Sequence, residues 1–205
     1  MHLAYKAAFY AILGCWFVFL VSFAVREHKP RARERKRDRT AVIGMALQFV
    51  SYFIVWYPPL FRQQFLPFAI HSPALPWIIA GFLIAMGAGS VWLVDAASRR
   101  LGKQWALAAR VVEGHALIQD GPYRLVRNPI YLGMLGLLLA TGLLLTRWLP
   151  LAIALALFVA GTRIRIRVEE GLLREAFGTH HDQYARRVPA LIPGIHRKFS
   201  RRNAA

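Results

Sequence analysis

The sequence predicts an all-α fold: a polytopic membrane helix bundle of about five transmembrane helices, with a cytoplasmic helical region toward its C-terminal end. Three observations predict it. Of the 205 residues, 57% are hydrophobic and only 18% charged, where an average soluble domain is about a quarter charged. The apolar residues gather into five runs. The charges, 27 Lys and Arg against 10 Asp and Glu, lie between those runs. This composition excludes a disordered chain, and a lone cysteine, Cys15, excludes a disulfide framework or a cysteine-rich metal site.

A bilayer core about 30 Å thick needs roughly 20 apolar helical residues to cross it. Residues 3–25 form the first run, interrupted only by Lys6. It lacks a small-residue cleavage site and ends in a basic cluster, so it reads as a retained helix rather than a signal peptide. The second run, 41–60, stops at Pro58-Pro59. The third, 75–94, carries Pro76 in its first turn, where proline costs little. The fourth and fifth, 130–146 and 149–162, are short and separated by little more than Arg147 and Trp148. They read as a tight helical hairpin, 130–162, whose second helix continues beyond the lipid. A re-entrant hairpin is the alternative. The division that follows is an N-terminal three-span region, 1–100, and a C-terminal core, 101–205, containing that hairpin and a cytoplasmic helix over 163–187.

The basic segments orient the bundle. Residues 26–39 carry eight Lys or Arg, 95–129 carry six, and 163–205 carry ten; only Lys6, Arg62 and Arg147 fall in the other set. With five spans, the three basic segments share one side, which the positive-inside rule makes cytoplasmic. The N-terminus is then outside and the C-terminus inside. The 26–39 run reads as a topology signal resting on anionic lipid headgroups rather than as a nucleic-acid site.

Two cytoplasmic segments are patterned beyond what a helix bundle needs. In 101–133, Asp120-Gly121-Pro122 is a turn signal. Asn128-Pro129 makes Pro129 a helix start, whose amides attract anionic groups. The plainer reading is a loop re-entering the membrane, with Trp105, Tyr123 and Tyr131 as interfacial aromatics. In 163–193, Arg165 and Glu169 are spaced i, i+4, as are Glu170 and Arg174, so each pair shares a helix face. Two adjacent acids just beyond a span are costly unless partnered, and a cationic ligand is one reason to keep them. His180-His181-Asp182 suggests no metal site: adjacent histidines point to different sides of a helix and no third ligand is evident. Cys15, within the first span, reads as a small packed residue. Gly133, Gly136 and Gly142 permit close helix contacts.

The stretch GHALIQDGPYRLVRNPIYLG, followed by RIRVEEGLLREAFGTHHDQYARRVPALIP, resembles the isoprenylcysteine carboxyl methyltransferase family of integral membrane enzymes. The related phospholipid N-methyltransferases are similar over the same region. The resemblance spans about residues 101–193. It implies a helical membrane bundle with an S-adenosylmethionine site on the cytoplasmic side. Carried over by motif, that site comprises His115, Ala116, Leu117, Ile118, Tyr123, Asn128, Pro129, Ile130, Tyr131 and Glu169, and Arg165 orients the substrate carboxylate. The family commonly has Arg-His-Pro where this chain has Arg127-Asn128-Pro129. Asparagine still donates and accepts hydrogen bonds, but it supplies no titrating imidazole.

Glu169 and the ring faces of Tyr123 or Tyr131 suit the cationic parts of such a cofactor, and His115 its polar ends. The expected reaction is methylation of a lipophilic, isoprenylcysteine-like carboxylate entering from the bilayer. A rival reading keeps the cofactor but methylates an amine headgroup, which requires a base. Another rival is a non-catalytic scaffold or transporter; against it, the first three apolar runs hold no acidic residue to relay ions.

Overall fold

The computed structural model describes residues 2–27, 34–37, 40–57, 73–104, 110–112 and 116–193. The described residues form six α-helices: α1 (His2–Glu27), α2 (Ala41–Trp56), α3 (Leu75–Leu101), α4 (Pro129–Leu145), α5 (Trp148–Phe177) and α6 (Thr179–Arg187). Each apolar run of the sequence is a helix. Three of them, α1, α3 and α5, are long and apolar enough to cross a membrane, and α2 and α4 are shorter apolar helices. The protein is a membrane protein. Large side chains such as Phe17, Phe53, Phe82 and Trp92 point outward from α1, α2 and α3, which suits hydrocarbon and not water.

The helix ends follow local chemistry. Pro129 opens α4, and Asn128 before it is non-helical, with φ −126° and ψ 61°. α5 runs on through Arg163 and Arg165 without a break and ends at Gly178, whose φ is +51°. That left-handed conformation is one glycine adopts freely, and it separates α6 from α5. The single cytoplasmic helix expected over 163–187 is therefore the end of one helix and the whole of another. Thirty residues at about 1.5 Å each make α5 roughly 45 Å long, longer than a hydrocarbon core.

α4 is the central helix. It packs chiefly along α3 and also meets α1, α2 and α5. Tyr131, Met134, Leu137 and Leu138 from α4 join Phe19, Val55, Val91, Val94 and Phe158 in one buried cluster; Ala140, Leu144 and Leu145 join Ala4, Ala8, Ile12, Ala80 and Leu83 in another. Polar bonds cross the apolar interior where they are paired: the Trp16 indole donates to Thr141 Oγ1 at 2.9 Å, and the Tyr52 hydroxyl to the Met134 carbonyl at 2.9 Å. Gly133 and Gly136 face Ser90 and Val94 of α3, and Gly142 faces Leu151 of α5. These small residues serve contacts inside the bundle.

The connection between α4 and α5 is only Thr146 and Arg147, as tight as the sequence suggests. Yet α5 packs mainly along α2. The approach of α2 to α5 is close: a Cβ on Gly44 would lie 2.6 Å from the Gly161 carbonyl oxygen and 2.7 Å from Arg165 Cγ. Glycine at both positions lets the two backbones touch.

The fold is helical as expected, with one small addition. β1 (Glu34–Arg37) and β2 (Arg110–Val112) form a small antiparallel pair, with Glu34 opposite Val112, Lys36 opposite Val111 and Arg37 opposite Arg110. The β-branched Val111-Val112 favours an extended chain, and part of the basic run 26–39 supplies the partner strand. The rest of that run, 28–33 and 38–39, lies outside the described residues, as do 58–72 with Arg62, Trp105, His115 and 194–205. Arg26 of α1 and Arg99 of α3 both donate to the Asp95 carboxylate of α3.

Candidate active site

The site grows from the C-terminal half of α5. Arg165 is 5% exposed although charged. A buried guanidinium needs compensation, and three elements supply it. Its Nη1 donates to Gln48 Oε1 of α2 at 3.0 Å. Its guanidinium carbon lies 4.9 Å from the centroid of the Tyr131 ring of α4, a cation–π distance. Its Nη2 is 3.8 Å from Glu169 Oε1, one helical turn further along α5. The Tyr131 hydroxyl donates to the same Glu169 oxygen. Arg165, Glu169 and Tyr131 thus form one cluster, with the i, i+4 spacing acting as the sequence suggests.

Tyr123 adjoins this cluster. It sits in a 3₁₀ turn, Gly121–Arg124, and is buried. Burial pushes its phenol well above the ordinary range, and the Glu169 charge adds to the shift. It is therefore a neutral hydroxyl at any physiological pH. Its carbonyl accepts a hydrogen bond from the Tyr184 hydroxyl of α6 at 2.7 Å.

A second set of bonds holds α6 and the segment after it against the start of α4. Arg127 donates through Nε and Nη2 to Glu170 Oε1, at 2.9 and 2.6 Å, and through Nη1 to the carbonyls of Ala185 and Val188, at 2.9 and 2.6 Å. The adjacent acids of α5 therefore have different partners: Glu169 faces Tyr131 and Arg165, while Glu170 takes Arg127. Asn128 gives both its backbone N–H and its side-chain Nδ2 to the Ala190 carbonyl, at 3.1 and 2.9 Å. The residue that stands where the family commonly has histidine is committed to this docking. Arg174, expected opposite Glu170, donates instead to Asp182 Oδ1 at 2.9 Å.

The other residues singled out in the sequence are distributed around this centre. Pro129 is buried and Ile130 half-buried at the start of α4. Ala116, Leu117 and Ile118 have no regular secondary structure, and the Ala116 N–H donates at 2.7 Å to Oε1 of Gln104, in the 3₁₀ turn that follows α3. No hydrogen bond joins them to the Arg165 cluster among the described residues. His115 lies outside those residues. One ring face of Tyr131, considered for a cationic ligand, is covered by Arg165. Among the described residues no group of three His, Cys, Asp or Glu is placed to hold a metal ion; His180 is exposed and His181 is turned inward at 1% exposure. Burial lowers the pKa of His181.

Three features escaped the sequence reading. Gln48 and Thr162 complete the surroundings of Arg165, and Arg127 with Glu170 anchors α6. Gln48 carries the clearest signal that was available, as the one amide side chain in an otherwise apolar helix. Its partners stand 114 and 117 residues away, so no local spacing points to them.

The donor set suits a ligand that is cationic at one end and must lie beside an anion: a carboxylate oriented by a phenol, next to a buried guanidinium. This fold and site define a helical membrane protein with a paired anion and cation site at one end of its bundle. Residues 77–180 match a family model described as phospholipid methyltransferase, and the chain belongs to that family. It is 36% identical over 90 residues to the protein-S-isoprenylcysteine O-methyltransferase of Schizosaccharomyces pombe, covering 43% of this chain and 38% of that one. It is 35% identical over 86 residues to protein-S-isoprenylcysteine O-methyltransferase B of Arabidopsis thaliana, covering 40% and 42%. It is also 37% identical over 101 residues to the cobalt-zinc-cadmium resistance protein CzcN of Cupriavidus metallidurans, covering 46% and 44%. The matched segments thus span less than half the length of these relatives.

Proposed function

We propose that the protein is an integral membrane methyltransferase that transfers a methyl group from S-adenosylmethionine to the carboxylate of a lipophilic, isoprenylcysteine-like acceptor. The observation that carries the reading is the juxtaposition of Arg165 and Glu169, 3.8 Å apart, within residues 77–180 that match the methyltransferase family model, in a chain similar to relatives named for that reaction. S-adenosylmethionine, when bound, supplies an electrophilic methyl group on a sulfonium, opposite in charge to a carboxylate nucleophile. Glu169, held by the Tyr131 hydroxyl, pairs with a cationic part of the donor. Tyr123, Asn128, Pro129, Ile130 and the 116–118 stretch wall the rest of that site, and His115, outside the described residues, is assigned to it by the motif alone.

Arg165 receives the acceptor carboxylate through its guanidinium fork. Arg165 and Glu169 stand one helical turn apart, so they would hold the two reactants side by side, and positioning would supply most of the catalysis. No general base is needed, because a carboxylate is already anionic at neutral pH. Glu169 would hold the donor, whose methyl group would be transferred as the sulfonium becomes a thioether, and Arg165 would orient the carboxylate that receives it. Arg165 must orient the carboxylate without holding it too tightly, since its charge vanishes in the transition state.

The topology that fits is five spans, α1 to α5, with the N-terminus outside and the C-terminus, α6 and the site in the cytoplasm. The first hundred residues then form the three-span region and residues 101–205 the methyltransferase core. The lipid part of the acceptor enters between helices, and the basic run 26–39 rests on anionic headgroups.

The family description favours a second reading, methylation of a phospholipid amine. Like-charge repulsion between Arg165 and an ammonium acceptor weighs against it. Detergent-purified protein incubated with methyl-labelled S-adenosylmethionine and either an S-prenylcysteine or phosphatidylethanolamine separates the two. A carboxyl methyl ester releases volatile label as methanol in alkali; an N-methyl group does not. Base-labile label on the prenylcysteine, reduced at least about a hundredfold in Arg165→Ala, is the expected result. Base-stable label on the phospholipid selects the second reading, and no transfer to either refutes the proposal.

A further inference from the structure

The acceptor end of the cluster is completed by a helix that lies before the family match begins at residue 77. Gln48 stands in the middle of α2, 2% exposed, where a membrane helix carries a polar side chain only at a cost. Both ends of its amide are assigned. Nε2 donates to Thr162 Oγ1 at 2.8 Å, and Oε1 accepts from Arg165 Nη1 at 3.0 Å. Thr162 and Arg165 are one turn apart on α5, so one side chain bridges both. With its NH₂ spent on Thr162, the amide presents oxygen to the guanidinium, and flipping it would set NH₂ against NH₂. The contact of Gly44 with Gly161 and Arg165 Cγ brings α2 near enough for this.

A staple between α2 and α5 would be served by the bond to Thr162 alone. The bond to Arg165 does something more specific. Gln48 fixes one nitrogen of the fork without adding a second carboxylate beside it. A glutamate here would pair with Arg165 in a low-dielectric interior, where charge pairing is strong, and would compete with any anionic acceptor. We propose that Gln48 is a positioning and specificity-determining residue: it orients Arg165 for an anionic acceptor while leaving the guanidinium charge to discriminate a carboxylate from its uncharged methyl ester. The same discrimination favours release of a methylated product. This rests on the reading of Arg165 as the carboxylate site.

The test uses the full chain in detergent with Gln48→Glu, which keeps size and an acceptor oxygen toward Arg165, and Gln48→Met, which keeps size and neutrality but loses the bond. An S-prenylcysteine acid and its methyl ester serve as paired probes, and S-adenosylmethionine binding is measured alongside. The parent should bind acid over ester by about tenfold or more, and Gln48→Glu should reduce that preference to about twofold or less. Its S-adenosylmethionine affinity should change by less than about threefold. Gln48→Met should keep the preference but lower kcat about tenfold, with a smaller change in KM. An acid preference equal in parent and Gln48→Glu, or parent kcat in Gln48→Met, overturns the role of Gln48 and leaves the reading of Arg165 intact. A parent without acid preference overturns that reading and this inference with it. If Gln48→Glu does not fold, the kcat of Gln48→Met decides.

Discussion

At Arg165 the chain keeps a guanidinium almost wholly out of solvent, with a phenol ring, an amide oxygen and a carboxylate from three helices around it. Part of this was readable in advance: four residues separate Arg165 from Glu169, and a helix puts that spacing on one face. Tyr131 and Gln48 were not readable in the same way, because their place beside Arg165 depends on how α4 and α2 cross α5. The assignment of Glu170 to Arg127 likewise needed the fold, since both neighbours four residues apart and partners 43 residues apart are open to an exposed-looking acid. His181 makes a prediction of its own. It is buried, its Nδ1 has no hydrogen-bond partner among the described residues, and Glu170, Arg127, Arg174 and Asp182 are charged groups that act on it. Burial holds its folded pKa below the ordinary 6.5, so the unfolded chain binds the proton more readily. Stability is therefore intact above about pH 6.5 and lost as the pH falls below it. Thermal unfolding in detergent from pH 7.5 to 5 should show this decline, and His181→Gln should flatten it; an equal slope in both proteins would remove His181 as the cause.

The helices themselves were legible because hydrophobic runs of membrane length leave few alternatives. Their partners were not. Short loops suggest that neighbours in sequence pack together, yet α5 lies mainly along α2, and the reason is sited in two glycines. Gly44→Ala would press a methyl group against the Gly161 carbonyl oxygen and the stem of Arg165, which costs about 1–3 kcal/mol when a packed interface must shift. The midpoint of thermal unfolding should fall, and methyl transfer should fall with it because Arg165 is displaced. By contrast, Gly14→Ala, where a Cβ meets nothing within 4 Å, should leave both unchanged. The strand pair β1 and β2 was invisible for another reason: charge dominates Glu34–Arg37, and only pairing with Arg110–Val112 gives that segment a regular backbone.

For the molecule as a whole, composition already excluded most classes of protein, and the distribution of Lys and Arg predicts an orientation. A reporter fused after Ala205 should therefore be active only in the cytoplasm, and one fused before Met1 only on the opposite side; a C-terminal signal from outside would refute the five-span arrangement. The division of labour is also a property of the whole. α4, α5 and α6 carry the charged cluster and its anchor, while α2, outside the family match, reaches Arg165 through Gln48. The central claim is that Glu169 belongs to a site for a cationic methyl donor. Calorimetric titration of the folded, detergent-purified protein with S-adenosylmethionine, beside Glu169→Gln, tests it most directly. The account predicts saturable binding by the parent and at least about a tenfold loss in the variant, the size of one charge-assisted contact. No binding by the folded parent, or equal affinity in the two proteins, would contradict it.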